Sequence, residues 1–278
     1  MKKRITALLL LLTLSVTSLF ACTSADKSES ASDKTAKTSK STSTKKQKLT
    51  PVTLNEVAHS IFYAPMYVAI EKGYFVNEGI DLSLVTGFGA DKTMTAVLSG
   101  TADIGFMGSE ASIYTYNEGA NDYVVNFAQL TQRAGNFLVA REDIKDFKWE
   151  DLKGKKVIGG RKGGMPEMVF EYILNQNHID PATDLTIDQN IDFGSTAAAF
   201  AEDKSDYDFT VEFEPGATNL EKQGKGYVVA SLGTDSGYVP YTAFSAKKSY
   251  INKHPEVVQG FTNALQKGMD YVASHTPE

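Results

Sequence analysis

The chain has 278 residues, with 28 Lys and Arg, 34 Asp and Glu and a formal net charge of −6. Ten of the basic residues but only three of the acidic ones precede residue 49, so the remainder is strongly acidic, and a nucleic-acid partner, which needs a basic footprint, is disfavoured. The single cysteine, Cys22, excludes an internal disulfide, and with four scattered histidines the sequence predicts no metal site and no cofactor.

The N-terminus is typical of a signal peptide. Basic residues at positions 2–4 precede an apolar run over residues 5–14, which is too short to span a bilayer comfortably. The segment ends in Leu-Phe-Ala-Cys at residues 19–22, which resembles the lipobox of bacterial lipoproteins. This resemblance implies that residues 1–21 are removed and that Cys22 carries a lipid such as palmitate. The alternative is a secretory signal that happens to contain a cysteine.

Residues 22–49 are expected to form a flexible tether. From residue 23 to residue 48 the chain has no aromatic or large aliphatic side chain and is rich in Ser, Thr and Lys, so no core can form. Seven lysines stand against three acidic residues there. The tether is either a plain solvated tail or one that is also weakly attracted to an anionic membrane surface.

From residue 50 onward, short strand patterns alternate with helix patterns. The predicted strands cover residues 52–57, 80–85, 104–107, 123–129, 137–140, 155–158, 185–189, 209–213 and 227–231. The predicted helices cover residues 64–72, 90–99, 109–117, 166–177, 196–202 and 217–222, and a last helix starts near Pro255. This alternation predicts an α/β fold with largely parallel sheets. Because a Thr-Pro-Glu sequence usually opens a helix, we expect the chain to continue beyond Glu278.

Four stretches resemble one family of proteins. They are residues 63–75 (YAPMYVAIEKGYF), residues 78–81 (EGID), residues 98–106 (LSGTADIGF) and the pair Glu214-Pro215. Together they are similar to the solute-binding proteins of ABC importers for nitrate, taurine, alkanesulfonates and thiamine pyrimidine precursors, over nearly everything after the tether. That family usually has Trp where Phe213 stands, and the motifs do not identify the ligand.

The resemblance implies a type II periplasmic-binding-protein fold, an α/β architecture with two lobes around a cleft. It implies that lobe 1 contains residues 50–140 and 237–278, that lobe 2 contains residues 141–236, and that the chain crosses between them near Ala140 and again within residues 237–243. Ligand closes the lobes, and the closed form, expected to be a monomer, docks on a membrane permease. The implied location is the extracytoplasmic face of the cell membrane.

Two glycine-rich turns that lead into helices offer candidate ligand contacts. Backbone N–H groups at the start of a helix are free to bind a ligand, and Ser109 is expected to cap the helix after the first turn. The second turn is not a P-loop, since no Gly-Lys-Ser/Thr ends it. The alternative is that these glycines only allow the chain to turn into each helix and contact no ligand. The candidate contacts in these turns are Gly108, Ser109, Glu110, Gly163, Gly164 and Met165.

Aromatic and acidic side chains supply further candidates at the expected cleft. Phe62 and Tyr63 follow the first predicted strand, at the end where open α/β sheets bind ligands, and Tyr241 lies in the expected return crossing. Glu212 and Glu214 alternate along a predicted strand and therefore share a face. A cleft carboxylate accepts hydrogen bonds from amino groups and repels sulfonate or nitrate. The alternatives are core packing for the rings and a helix-terminal charge for Glu214.

The favoured function is that of a binding protein for import and not of an enzyme. The candidates favour a thiamine pyrimidine precursor or a similar nitrogen heterocycle, since after the tether only Arg133, Arg141 and Arg161 could clamp an anion. The alternative ligands are an alkanesulfonate, taurine or nitrate. The alternative of a different class is a pyrimidine-synthesis enzyme on the same fold. Such enzymes carry a cysteine-rich iron motif, whereas no cysteine follows Cys22 here.

Overall fold

Four strands from the first half of the chain and one strand from residues 242–247 build a five-stranded sheet. In the computed structural model, which describes residues 48–276, the strands of this sheet are β1 (Thr50–Glu56), β2 (Ile80–Thr86), β3 (Ile104–Gly108), β4 (Val124–Thr131) and β10 (Thr242–Lys247). Their order is β2-β1-β3-β10-β4. β1 is parallel to β2 and β3, whereas β10 is antiparallel to β3 and β4. β3 is buried at every position, so both faces of the sheet are covered.

A second five-stranded sheet follows the same plan. Its strands are β5 (Asn136–Ala140), β6 (Lys156–Ile158), β7 (Thr186–Asp188), β8 (Phe209–Phe213) and β9 (Tyr227–Ser231). Their order is β7-β6-β8-β5-β9. β6 is parallel to β7 and β8, and β5 is antiparallel to β8 and β9. Each sheet with its helices forms one lobe, and both sheets are mixed rather than largely parallel.

Helices cover the sheets on the connections between strands. They are α1 (Ala64–Glu71), α2 (Tyr74–Asn77), α3 (Ala90–Ser99), α4 (Glu110–Asn117), α5 (Met165–Gln176), α6 (Thr196–Ala201), α7 (Gly216–Lys222), α8 (Leu232–Asp235), α9 (Lys248–Lys253) and α10 (Pro255–Ser274). Single 3-10 turns precede α1 and β6, at Ile61–Tyr63 and Trp149–Leu152. Across residues 48–276, none of these helices combines the length and apolar character that a membrane crossing requires.

Each lobe has its own hydrophobic core. In the first lobe, α10 packs onto the sheet, and the fully buried ring of Phe261 lies 5.0 Å from that of Phe75 and 5.2 Å from that of Phe244. In the second lobe, Leu138 and Val139 point to opposite faces of β5 and enter clusters on the two sides of the sheet. Burying side chains of this size contributes about 1.5–3 kcal/mol each, which holds the elements around the cleft in place.

The position of β5 differs from the expected lobe limits. The expected first lobe extended to residue 140, but β5 pairs with β8 over all five of its residues and so belongs to the second sheet. The chain therefore first passes between the sheets within residues 132–135 and returns between Ser231 and Thr242. The sequence did not predict this because β5 pairs antiparallel with β8, which lies far from it in the sequence. Local sequence patterns do not encode such a long-range pairing.

Candidate functional site

A cleft between the two sheets contains three adjoining cavities. The central cavity is small, about 20 Å³, and draws its walls from both lobes. A cavity of about 200 Å³ shares Ala58, Phe193 and Phe213 with it and is called the His59 cavity after another lining residue. A third, of about 520 Å³, shares Phe193 and Glu110 with the central cavity and is called the Arg161 cavity. Because Phe193 lines all three, its ring stands where they meet.

Aromatic rings form much of the wall of the central cavity. The ring of Phe213 lies 5.9 Å from that of Phe193 and 6.5 Å from that of Tyr241. Tyr63, at the carboxyl end of β1, packs edge-on against Phe106 at 4.5 Å. Burial raises the pKa of both tyrosines above the ordinary value, so their hydroxyl groups stay neutral. The walls of the cavity are thus flat apolar faces with a few neutral polar tips.

Glu110 is the acidic group of the central cavity. It opens α4 in the first lobe, and its Oε1 accepts a hydrogen bond of 3.0 Å from the backbone N–H of Met165, which opens α5 in the second lobe. Its Oε2 is buried and has no hydrogen-bond partner in the part of the chain that the structure describes. Burial raises the pKa of this carboxyl to about 7. Gly108 makes room for it, since a side chain there would overlap the carboxyl group.

Glu212 is a second buried carboxyl and lines the His59 cavity. It accepts hydrogen bonds from the hydroxyl groups of Thr210 (2.7 Å) and Thr196 (3.0 Å), and burial raises its pKa to about 7. Glu214 lines the same cavity, but its carboxylate accepts hydrogen bonds from the backbone N–H (3.1 Å) and hydroxyl (2.8 Å) of Thr218 in α7. That arrangement is the helix-terminal role considered as the alternative for Glu214.

The N–H groups of the second glycine-rich turn are used within the protein. The N–H of Gly163 donates to the Glu167 carboxylate at 3.1 Å, that of Gly164 donates to the carbonyl of Arg161 at 3.0 Å, and that of Met165 donates to Glu110. These three donors of the second turn are therefore engaged by protein groups. What the turn does instead is to bring the start of α5 against Glu110 of the other lobe.

The structure brings most of the predicted site residues together. Those that line the central cavity are Tyr63, Gly108, Glu110, Gly164, Met165 and Tyr241. Gly163 lines the Arg161 cavity, and Phe62 packs 6.0 Å from Tyr241 and 6.2 Å from Phe213. Ser109 lies elsewhere: its hydroxyl donates to the carbonyl of Pro240 at 2.6 Å and makes no cap on α4, so the predicted cap is wrong.

A group of four charges joins the lobes at the edge of the cleft. Arg161 of the second lobe pairs with Asp91 of the first lobe at 2.9 Å and also with Asp192 of the second lobe. Lys92 of the first lobe pairs with Asp192 at 3.2 Å. The guanidinium group of Arg161 is therefore shared between two carboxylates.

The other two arginines of the described residues are also engaged by protein groups. Arg133 donates to the carbonyl of Gly233 at 2.9 Å. Arg141 donates to the carbonyls of Tyr207 (2.8 Å) and Phe200 (2.7 Å). Among residues 48–276, no Lys or Arg lines the central or the His59 cavity, whereas Arg161 and Lys162 line the Arg161 cavity.

Two residues of interest were missed by the sequence reasoning. Phe193 lies in the loop between β7 and α6, where no periodic pattern marks a residue. Asn136 opens β5 and is almost fully buried, yet neither polar atom of its side chain has a hydrogen-bond partner among the described residues. Weak signals could have identified both residues. Phe193 is an aromatic residue soon after a strand, and Asn136 is an asparagine at the start of an apolar strand.

Comparison with known proteins agrees with this architecture. Residues 61–278 match the family model described as "NMT1/THI5 like". The chain is 53% identical over 228 residues to "Putative binding protein YtlA" of Bacillus subtilis (strain 168), an alignment that covers 82% of this chain and 68% of that protein.

Solved structures of low sequence identity share the fold. The alkanesulfonate-binding protein SsuA from Xanthomonas axonopodis pv. citri bound to MOPS superposes with a TM-score of 0.67 at 16% identity, over 81% of this chain and 76% of that chain. The periplasmic nitrate-binding protein NrtA from Synechocystis PCC 6803 also gives 0.67, at 18% identity, over 80% of this chain and 62% of that chain. These similarities show a two-lobed periplasmic-binding-protein fold.

Proposed function

The chain belongs to the NMT1/THI5 like family, and from this premise we propose that it is the extracytoplasmic solute-binding component of an ABC importer. It captures a small molecule between its lobes and delivers it to a membrane permease. The name of the Bacillus subtilis relative and those of the sulfonate- and nitrate-binding neighbours support a binding role. The observation that carries the proposal is a cleft whose walls come from two separate sheets and whose centre contains unpaired buried polar groups.

The ligand that this cleft favours is a small nitrogen heterocycle with an amino group, such as a thiamine pyrimidine precursor. The free Oε2 of Glu110 accepts a hydrogen bond from an amino group, and Tyr63, Phe213 and Tyr241 offer faces and edges to a ring. Hydrogen bonds to a charged group contribute about 1.5–3 kcal/mol. Glu212, buried in the adjoining cavity, adds a second acceptor for a ligand that extends past Phe213.

An alkanesulfonate, taurine or nitrate is the alternative ligand, and the names of two structural neighbours favour it. Against it, the three arginines of residues 48–276 are bound by protein groups, and buried carboxyl groups line the central and His59 cavities. An anion placed there would be repelled by any carboxylate that ionises. A pyrimidine-synthesis enzyme on the same fold is disfavoured because no cysteine follows Cys22.

Lipid anchoring at Cys22 is part of the proposal and concerns residues outside those the structure describes. The lipobox-like residues 19–22 support it. Replacing Cys22 by Ser is expected to move the protein from the membrane fraction into the medium or periplasm. Membrane association that persists in the variant and still requires detergent for release would contradict anchoring by this residue.

Native mass spectrometry of the protein purified from its own host tests the proposed ligand class. Tight ligands remain bound through purification, and ligand that binds only the native state also raises the melting temperature. The expected result is an added mass that is released on denaturation and whose fragments identify an amino-bearing heterocycle. A released sulfonate would contradict the ligand class and leave the import function intact. Turnover of the released compound by the protein would contradict the binding function.

A further inference from the structure

Among residues 48–276, the buried side-chain atoms that lack a hydrogen-bond partner are concentrated in three residues. They are Oε2 of Glu110, the hydroxyl of Tyr241, and both Oδ1 and Nδ2 of Asn136. Each of these side chains is at least nine-tenths buried, with 5% of Glu110, 2% of Tyr241 and 1% of Asn136 exposed. A polar group that is buried without a hydrogen bond lowers the stability of the folded state, so the presence of these groups requires an explanation.

The three residues lie around one place in the fold. Glu110 and Tyr241 both line the central cavity. Asn136 stands directly opposite Phe213 in the pairing of β5 with β8. Directly opposed residues of antiparallel strands point to the same face, so the Asn136 side chain lies beside Phe213, which is part of the cavity wall.

We propose that Asn136, together with Tyr241 and Glu110, reads the polar edge of the ligand, an inference that rests on the proposed function. The carboxamide of Asn136 carries one acceptor oxygen and a donor NH₂ group, both unpaired. A ring nitrogen next to an amino group presents the complementary acceptor and donor, the pairing by which asparagine recognises adenine. The carboxylate of Glu110 accepts a further amino hydrogen, and the neutral hydroxyl of Tyr241 donates or accepts.

Phe62 packs at the start of β5. Its ring packs on the backbone of Gly135, next to Asn136, because a side chain at Gly135 would occupy the position of the ring. Phe62 follows β1 in the first lobe, whereas Asn136 and Phe213 belong to the second sheet. The Phe62 ring is therefore a contact of the first lobe with the second lobe at the start of β5.

The carboxamide of Asn136 and the carboxyl group of Glu110 differ in the ligand edges that they can bind. A carboxamide can turn over and pair equally with an amino edge or with an oxo edge, in which donor and acceptor are exchanged. At about pH 8 Glu110 is largely ionised, and an ionised carboxylate only accepts, so there Glu110 distinguishes the amino ring from the oxo ring. The probes are the thiamine pyrimidine precursor that carries amino, methyl and hydroxymethyl groups, called the aminopyrimidine, and the same ring with oxo in place of amino.

Asn136→Leu and Tyr241→Phe in the full chain test the inference. Each change removes unpaired polar atoms while keeping a similar shape, so the melting temperature without ligand is expected to rise. Affinity for the aminopyrimidine is expected to fall at least about tenfold for Asn136→Leu and about threefold for Tyr241→Phe. Thr93→Val is the matched control: its buried hydroxyl donates to Asn55 at 2.8 Å, so its removal is expected to lower the melting temperature and leave affinity unchanged.

Three outcomes would overturn the inference, and one of them needs no ligand. Lower melting temperatures for both Asn136→Leu and Tyr241→Phe would show that a buried water or a structural contact serves these groups. Unchanged affinity in both variants, when the unaltered protein binds the aminopyrimidine, would overturn the inference and leave the proposed function standing. An unaltered protein that binds neither ring but binds taurine would overturn the edge-reading role and the proposed ligand class together.

Discussion

Oε1 of Glu110 and the backbone N–H of Met165 form a 3.0 Å hydrogen bond that joins the two lobes across the cleft. The other oxygen of the same carboxyl group is buried and unpaired at the central cavity. One side chain therefore links lobe closure to ligand recognition. A ligand that pairs with Oε2 is expected to favour the arrangement in which Oε1 meets Met165, because that bond fixes the position of the carboxyl group that the ligand contacts.

The buried carboxyl groups predict that the protein is more stable at mildly acidic pH than at mildly alkaline pH. Burial raises the pKa of Glu110, Glu212 and Glu167 to about 7. In the unfolded chain they ionise near the ordinary value of about 4.3, so between these values the native state holds more protons. Stability is therefore greatest near the lower value, falls as the pH rises toward 7 and then levels off.

Urea unfolding measured at about pH 5.5 and about pH 8 checks this. The urea midpoint is expected to be higher at the lower pH. Glu110→Gln is expected to reduce the difference, since over this pH range each group contributes up to about 2 kcal/mol. The carboxyl groups of Asp122 and Asp188 have pKa values below the ordinary range. The stability that they contribute is lost only at more acidic pH and does not confuse the comparison. A higher midpoint at about pH 8 would contradict the burial of neutral carboxyl groups.

The charges between the lobes predict a small, salt-sensitive effect on ligand binding. Arg161→Met removes the pairs with Asp91 and Asp192, which are partly exposed and therefore contribute about 0–1 kcal/mol each. The dissociation constant of the aminopyrimidine is expected to be higher for the variant, by a factor of less than about five.

Titrations at about 50 mM and about 500 mM NaCl show whether these pairs support closure. The unaltered protein is expected to lose affinity with salt, and the variant to lose less. Lys204→Met provides a control, since Lys204 is an exposed residue that lies outside the cavities described. Equal salt dependence in the unaltered protein and the Arg161 variant would mean that these charges do not affect closure.

The packing of α10 predicts that it is an essential part of the first lobe. Phe261→Ala removes a fully buried ring that lies among Phe75, Phe244 and Phe127, and is expected to cost about 3–5 kcal/mol of unfolding free energy. Val272→Ala, on the same helix but 39% exposed, is the control and is expected to change stability by less than about 0.5 kcal/mol. Similar losses in the two variants would contradict the burial of Phe261.

Local sequence patterns predicted most of the helices and strands but did not predict how the strands pair. The predicted helix 90–99 and strands 209–213 and 227–231 match α3, β8 and β9 to the residue. β10 was missed, because its small and polar residues show no clear alternation, although it forms the link between β3 and β4. The change of sheet at β5 was also missed, since partners such as Phe137 and Glu212 lie far apart in the sequence.

The site was predictable where a motif or a strand end marked it. Tyr63 was placed at the cleft by the end of the first strand, Glu110 by a glycine-rich helix entry and Tyr241 by the expected return crossing. All three line the central cavity. Asn136 could not be found in this way, because its interest comes from the absence of a hydrogen-bond partner, which depends on side chains from distant segments. Phe193 likewise reaches the cleft from a loop whose path no sequence period specifies.

Calorimetric titration of the full chain with the aminopyrimidine and, separately, with taurine tests the central claim most directly. Glu110→Gln is measured beside it, because the amide keeps the shape but loses the charge-assisted hydrogen bond. The account predicts binding of the aminopyrimidine, no measurable binding of taurine, and a loss of about one to two decades in aminopyrimidine affinity for Glu110→Gln. Tight binding of taurine without binding of the aminopyrimidine, or taurine binding that Glu110→Gln improves, would contradict it.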